Sequence, residues 1–330
     1  MDSKSVTLLF TSVGRRVELL RAFRAAGLEA GVVLRILACD VDPLAPALRE
    51  ADRAFLAPRC LEPEYGPFLA DICQKEGVQA IFPLIDTELE ALAGAREMIE
   101  SAGARVGVPE MEVLRKTLDK QITLDLFREV GLPVPKTWFP EELDVKTLPY
   151  PVIVKPRRGS ASQGVFRVEN AEACRFFLGY VKEAMVQECL PGPEITTDVF
   201  LSLSGRLLGM CSRERIEVRW GEAAKAVTVS IPEVTSACKM LAEAFGRAGP
   251  FTVQCMLKDG RPYFTEINAR MGGGLPLAFA AGMQGHVRLL QELVGERPDR
   301  FDPAEVLAGV YMSRFDDGIF IRERGEGVRF

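Results

Sequence analysis

The chain has 330 residues, 48% of them hydrophobic and 26% charged, with a formal net charge of -5; at roughly 150 residues per domain this predicts a folded protein of two or three domains. The acidic balance lacks the basic excess needed to grip phosphates, which removes nucleic acid as an expected partner. No apolar run approaches the ~20 residues that cross a bilayer, and Met1 to Phe10 has neither the basic start nor the length of a signal peptide, so no membrane partner and a cytoplasmic location are expected.

From the N-terminus, Val6 to Phe10 reads as a strand, followed by a turn at Ser12-Val13-Gly14 and an amphipathic helix through Leu19, Leu20 and Phe23. Val33 to Cys39 and Ala80 to Leu84 read as further strands, and Tyr65 to Lys75 and Glu88 to Ala102 as helices. Alternation of this kind predicts a parallel, doubly wound sheet. Ligands of such sheets sit at the carboxyl ends of the strands, where Arg15-Arg16, Asp40-Val41-Asp42 and Asp86-Thr87-Glu88 fall. These are substrate-site candidates, with solvated loop polarity as the alternative. A Gly-x-Gly-x-x-Gly fingerprint is missing after the first strand, which weakens a nicotinamide-dependent oxidoreductase reading.

A helix from Glu110 to Val130, capped by Gly131 and stopped by Pro133 and Pro135, closes this region. Beyond it the pattern turns to β-hairpins. Val152 to Val154 and Val165 to Val168 flank a glycine-containing loop, and Ala184 to Cys189 and Ile195 to Leu203 follow, with a turn at Ser204-Gly205. Pro232 starts a helix that carries Val234, Ala237, Cys238, Leu241 and Phe245 on one face. The last hairpin joins Phe251–Leu257 to Pro262–Asn268 through Lys258-Asp259-Gly260. The ending, Arg322 to Phe330, reads as a mobile tail or a partner contact.

The eight cysteines are dispersed without a Cys-x-x-Cys pair, which argues against a zinc knuckle or disulfide framework. His286 is the only histidine, so His-rich metal sites are excluded, and with no Gly-x-Ser-x-Gly elbow to partner it a structural or peripheral role is expected. Chemistry must rest on carboxylates, amides, lysines and arginines.

If the last hairpin is centred on Gly260, Gln254 faces Glu266, and period-two alternation puts Asn268 on the same face. Opposed β-carbons lie ~4.5–5.5 Å apart, so one carboxylate and two amide oxygens can converge on a hard cation, for which magnesium is the natural occupant. The alternative is the polar face of a half-buried strand. Between the first two hairpin strands, Lys155-Pro156-Arg157-Arg158-Gly159-Ser160-Ala161-Ser162-Gln163-Gly164 has no Walker pattern. It could close over phosphates as a flap through backbone amides, hydroxyls and the Lys155 ammonium, or be a plain glycine-rich turn. Val186 to Glu194 runs from a strand into a kinked connector able to offer backbone groups to an adenine edge and Glu194 to ribose hydroxyls. Arg270 stands just past the metal candidates, where it could stabilise a transferring phosphoryl group or lie on the surface beside the Gly272-Gly273-Gly274 turn.

With these pieces in order, the chain resembles the ATP-grasp superfamily, in particular the carbamoyl-phosphate-synthase-like branch of single-module proteins. The resemblance runs from the leading α/β region through Asp119-Lys120, Val154-Lys155-Pro156, Gly159 to Gly164, Gln187-Glu188 to Glu194, and Phe264-Thr265-Glu266-Ile267-Asn268-Ala269-Arg270. It implies an α/β and α+β chain: a Rossmann-like pre-ATP-grasp domain over residues 1–108, then a two-subdomain ATP-grasp fold over 109–330 with a flap subdomain at about 124–190.

It further implies that Lys120 and Lys155 contact ATP phosphates under a flap bearing Ser160, Ser162, Gln163 and Gly164. Gln187, Glu188, Cys189 and Leu190 would hold adenine, and Glu194 ribose. Gln254, Glu266 and Asn268 would bind magnesium, two ions being expected and manganese a substitute. Arg270 would steady the acyl phosphate, and Arg213 and Lys225 would add phosphate or substrate contacts. The implied activity is ligation of a small carboxylate to an amine through an acyl phosphate. Carbamoyl phosphate formation and a non-catalytic ATP-binding regulator are the rivals. The chain departs from the family's pattern in two ways: the single module lacks the duplicated half and the glutamine-hydrolysing site of carbamoyl phosphate synthesis, and Gln254 stands where many relatives have an acid. Substrate identity and oligomeric state stay open, a homodimer included.

Overall fold

The computed structural model describes residues 4–159, 163–247 and 249–321. Its first region is a five-stranded parallel sheet of β1 (Ser5–Thr11), β2 (Val33–Asp40), β3 (Arg53–Leu56), β4 (Ala80–Pro83) and β5 (Arg105–Val106), in the order β3-β2-β1-β4-β5. Helices α1 (Val17–Glu29), α2 (Tyr65–Glu76), α3 (Leu89–Gly94) and α4 (Arg96–Ser101) connect the strands. Pleating divides β1 between two cores: Leu8 and Phe10 pack with Leu20 and Phe23 of α1, and Leu9 packs with Leu69 and Cys73 of α2. Burial on both faces is why these strands read as unbroken apolar runs.

The expected helix over 88–102 is a 3-10 turn at Asp86–Glu88 and two short helices that meet at Ala95. The expected helix over 110–130 also divides, into α5 (Met111–Leu118) and α6 (Lys120–Glu129). Asp119 between them is extended, and its carboxylate accepts from the Gln121 amide and from Arg157 Nε at 2.6 Å. A side-chain acceptor competing with the helix, anchored by an arginine 38 residues away, breaks it there. Gly131, at φ +77°, ends α6 as expected.

A small four-stranded antiparallel sheet follows: β6 (Thr137–Trp138), β7 (Val152–Pro156), β8 (Phe166–Val168) and, after helix α7 (Ala171–Tyr180), β9 (Ala184–Glu188), in the order β6-β9-β7-β8. It has its own core of Val152, Val154, Val168, Cys174 and Val186. The expected flap start near 124 falls inside α6, where Leu124 and Phe127 pack instead with the larger sheet. That six-stranded sheet comprises β10 (Glu194–Leu201), β11 (Leu207–Arg219), β12 (Glu222–Val229), β13 (Phe251–Lys258), β14 (Arg261–Asn268) and β15 (Tyr311–Ser313), in the order β14-β13-β10-β11-β12-β15. Helix α8 (Pro232–Phe245), with proline at its start, packs Val234, Cys238, Leu241 and Phe245 into its core.

Helices α9 (Leu275–Ala280) and α10 (Gly285–Leu293) lie against α1, so Leu275, Ala278, Val287 and Leu290 complete the core on that face of the parallel sheet. The N-terminal region and the later helices therefore share one apolar core. His286 is buried there, stacked on Phe279 at 3.6 Å, and burial pushes its imidazole down to about 3. No helix among the described residues is long and apolar enough to cross a membrane. The tail from 322 onward lies outside the described residues.

Candidate active site

The β13–β14 hairpin shows how local chemistry sets a site. Asp259 and Gly260 occupy a two-residue turn with φ +52° and +76°, the signature of the type I′ connection. The turn is not centred on Gly260: Lys258 faces Arg261 and Cys255 faces Phe264, one residue off the expected register. Thr265 then bulges out of β14, so Gln254 meets Glu266, as expected, and Thr252 meets Asn268. Thr265 Oγ1 donates to the Gln254 carbonyl at 3.2 Å across the bulge.

Gln254, Glu266 and Asn268 line one wall of a cleft of about 550 Å³. With their nitrogens turned inward, the Gln254 and Asn268 amides donate to the Glu266 carboxylate at 3.2 and 3.3 Å, and Asn268 also reaches Asp86 at 3.2 Å. Turned the other way, their oxygens cluster with the carboxylate, an arrangement only a cation would stabilise. One carboxylate and two amide oxygens suit a hard, partly hydrated ion such as magnesium. Among the described residues no group of three or more histidine, cysteine or acidic side chains could hold a metal.

Opposite this wall, Lys155 is buried at the end of β7, and its Nζ donates to Gln187 Oε1 at 2.8 Å. Burial lowers this ammonium to about 8, against the upward pull of Glu266. The break at Asp119 starts α6 at Lys120, whose Nζ donates to the Gly159 carbonyl at 2.6 Å, in the glycine-containing loop after β7. Gln163 also lines the cleft. Gly164 does not, and Ser160 and Ser162 lie outside the described residues.

The segment Gln187–Leu190 and Glu194 form the adjoining wall. Glu188 accepts from Lys258 Nζ, and Glu194 from Arg215, each at 2.6 Å. Gly192 lets this connector pass β13, since a β-carbon there would lie 1.7 Å from the Leu257 carbonyl oxygen. Arg270 Nη2 donates to Asp86 Oδ2 at 2.9 Å. Arg213 is buried against Asp198, and a β-carbon at Gly274 would lie 2.3 Å from its guanidinium, so the glycine run Gly272–Gly274 is a floor for arginines and not a loose turn.

Several expected residues are placed elsewhere. Lys225 is exposed on β12, paired with Glu217 at 2.7 Å and absent from the cleft lining, because strand alternation turns it outward. Of the loop candidates, Arg16, Asp86 and Thr87 line the cleft. Asp40 instead caps the Gly14 and Asp42 amides at 2.7 and 2.9 Å. Glu88 is fully buried, accepting from Ser12, the Leu84 amide and Tyr65; burial pushes its carboxyl up against these donors. Arg215, Trp220 and Glu222 line the cleft without having been anticipated. For Arg215 a signal existed, as it lies two residues beyond Arg213 on β11 and so shares its face.

Residues 8–107 match a family model described as the PylC-like N-terminal domain, and residues 117–274 match the ATP-grasp domain. The D-alanine–D-alanine ligase of Fusobacterium nucleatum subsp. nucleatum is 26% identical over 171 residues, 47% of this chain and 57% of that protein. The carbamoyl phosphate synthase large chain of Archaeoglobus fulgidus is 22% identical over 306 residues, 80% of this chain and 28% of that protein. The chain thus spans just over half of the first relative's length and under a third of the second's. The biotin carboxylase domain of Hydrogenobacter thermophilus 2-oxoglutarate carboxylase, solved with magnesium ADP and bicarbonate, has the same fold: TM-score 0.70 at 18% identity, covering 92% of this chain and 73% of that one.

Proposed function

Because this chain carries an ATP-grasp domain behind a PylC-like N-terminal domain, we propose that it is a magnesium-dependent ligase that joins a small carboxylate to an amine through an acyl phosphate. The observation that carries this reading is the convergence of Lys120, Lys155, Gln187–Leu190, Glu194, Gln254, Glu266, Asn268 and Arg270 on one cleft, from segments far apart in the chain.

Lys120 and Lys155 hold the phosphates, the Gln187–Leu190 wall takes the adenine, and Glu194, steadied by Arg215, takes the ribose. Magnesium bound by Glu266 with the Gln254 and Asn268 oxygens would offset charge on the β- and γ-phosphates. A carboxylate oxygen attacks the γ-phosphorus, the bond to the β-phosphate oxygen breaks, and ADP leaves. Arg270 faces the negative charge of the transferring group. The amine then attacks the acyl carbon, phosphate departs, and the amine's proton goes to solvent.

The test is magnesium-dependent ADP release from ATP across a panel of amino acids, small carboxylates and bicarbonate with ammonia, run beside Glu266→Ala. Turnover is expected for a carboxylate and amine pair, falling at least about 10²- to 10³-fold in the variant while its melting is retained. Near-normal turnover in Glu266→Ala sinks the assignment. ATP binding without ADP release under every pairing favours a regulator.

A further inference from the structure

At the end of the cleft beside the N-terminal region, four guanidiniums and three carboxylates interlock among the described residues: Arg270 with Asp86 at 2.9 Å, Arg213 with Asp198, and Arg314 and Arg16 with Glu222 at 2.8 and 3.0 Å. The Arg16–Glu222 pair differs from the others. Its charges are close, yet Arg16 Nη1 is buried and makes no hydrogen bond. The Nε atoms of Arg213 and Arg270 are likewise buried without partners, in side chains only 6% and 15% exposed. Burial lowers Arg16 to about 10, against Glu222. A β-carbon at Gly273 would lie 2.2 Å from Arg16 Nη1 and 2.9 Å from the Glu222 carboxyl carbon, so the glycine is what lets this pair lie against the backbone of the cleft floor.

We propose that the substrate whose carboxylate is activated is an α-amino acid, inserted as a zwitterion into the Arg16–Glu222 pair with its carboxylate on Arg16 and Arg270 and its ammonium on Glu222. The inference rests on the ligase reading. A zwitterion presents the two charges in the order the pair already holds, so the cluster's net charge is unchanged while Arg16 gains the hydrogen bonds it lacks. A simple carboxylate would satisfy Arg16 but leave Glu222 to Arg314 alone. An amine would do the reverse. A dicarboxylate would bring a second negative charge beside Glu222 and Asp86, where only one guanidinium is in excess.

Trp220 lies two residues before Glu222, lines the same cleft, and is one of two tryptophans, so its fluorescence in Trp138→Phe protein reports occupancy. With magnesium ADP present, the proteinogenic α-amino acids are titrated, each beside its deaminated acid and decarboxylated amine, with calorimetry as a second readout. At least one amino acid should bind at least about tenfold more tightly than either truncated analogue. Glu222→Gln should erase the preference over the deaminated acid, and Arg16→Gln the preference over the amine, each variant being assayed at a temperature where circular dichroism shows it folded. Equal binding of the deaminated acid, or no binding of any amino acid by either readout, overturns the proposal. ADP release driven by a carboxylate without an amino group and lost in Glu266→Ala would leave the ligase reading standing and remove this one. Retained turnover in Glu266→Ala would remove the ligase reading itself.

Discussion

Raising the pH from 7 to 9 tests the phosphate-binding role proposed for Lys155 through protons. In the free protein burial holds this ammonium at about 8. Between triphosphate oxygens it regains full charge, so ATP binding should take up about 0.1 proton at pH 7, about 0.5 at pH 8 and about 0.9 at pH 9. ATP affinity should correspondingly fall about tenfold per unit above pH 8. Calorimetric titration of ATP in pairs of buffers with different ionisation enthalpies measures the uptake, and Lys155→Met supplies the baseline. Uptake that is flat with pH, or unchanged in Lys155→Met, would refute the reasoning. The same shift has a consequence for stability. The folded value lies below the ordinary 10.5, so the unfolded chain binds the extra proton between them; the destabilisation, about 3 kcal/mol, is fully present below pH 8 and is relieved as pH rises from about 8 to 10.5. Lys155→Met removes it and loses a hydrogen bond to Gln187 worth ~1–2 kcal/mol. ATP-free Lys155→Met should therefore unfold at a higher urea concentration than wild type at pH 7, and this margin should vanish by about pH 10.

Arg270→Lys should lower kcat by about 10²-fold with little change in the KM for ATP, since an ammonium cannot hold both Asp86 and a developing charge; steady-state kinetics decides this. Gly192→Ala should destabilise by about 3 kcal/mol or more and weaken ATP binding, because the new methyl group meets the Leu257 backbone, as denaturant titration and ATP binding would show. Lys225→Ala should leave both rate and melting within error, its partner Glu217 lying on the surface; a tenfold loss of rate would place that lysine back in the chemistry.

The end of the cleft around Arg16 and Glu222 was the part least legible in the sequence. Arg16 and Glu222 are 206 positions apart, and nothing in either neighbourhood distinguishes Arg16 from Arg15, which instead lies over the Trp220 ring at 4.9 Å. Arg213 and Lys225 looked equivalent along their strands, yet pleating buries the first against Asp198 and turns the second to solvent. Asp86 and Glu88 look alike in the chain, but the 3-10 turn sends one to the cleft and buries the other against Ser12, Leu84 and Tyr65.

What the sequence by itself determined rests on short-range physics. Apolar runs set the parallel sheet, proline at 232 and glycine at 131 set helix ends, and Asp259-Gly260 made a hairpin certain to bring β13 against β14. Motif order along the chain was enough to pick out Lys120, Lys155, Gln187–Leu190, Glu194, Gln254, Glu266, Asn268 and Arg270, which line one cleft. The tertiary structure alone decided the break at Asp119, held by Arg157; the bulge at Thr265, which restores the Gln254–Glu266 pairing that the turn had displaced; and which arginines enter the cleft. Each of these depends on charges and backbones brought together from distant positions, and a local periodicity of 2 or 3.6 residues contains no information about that.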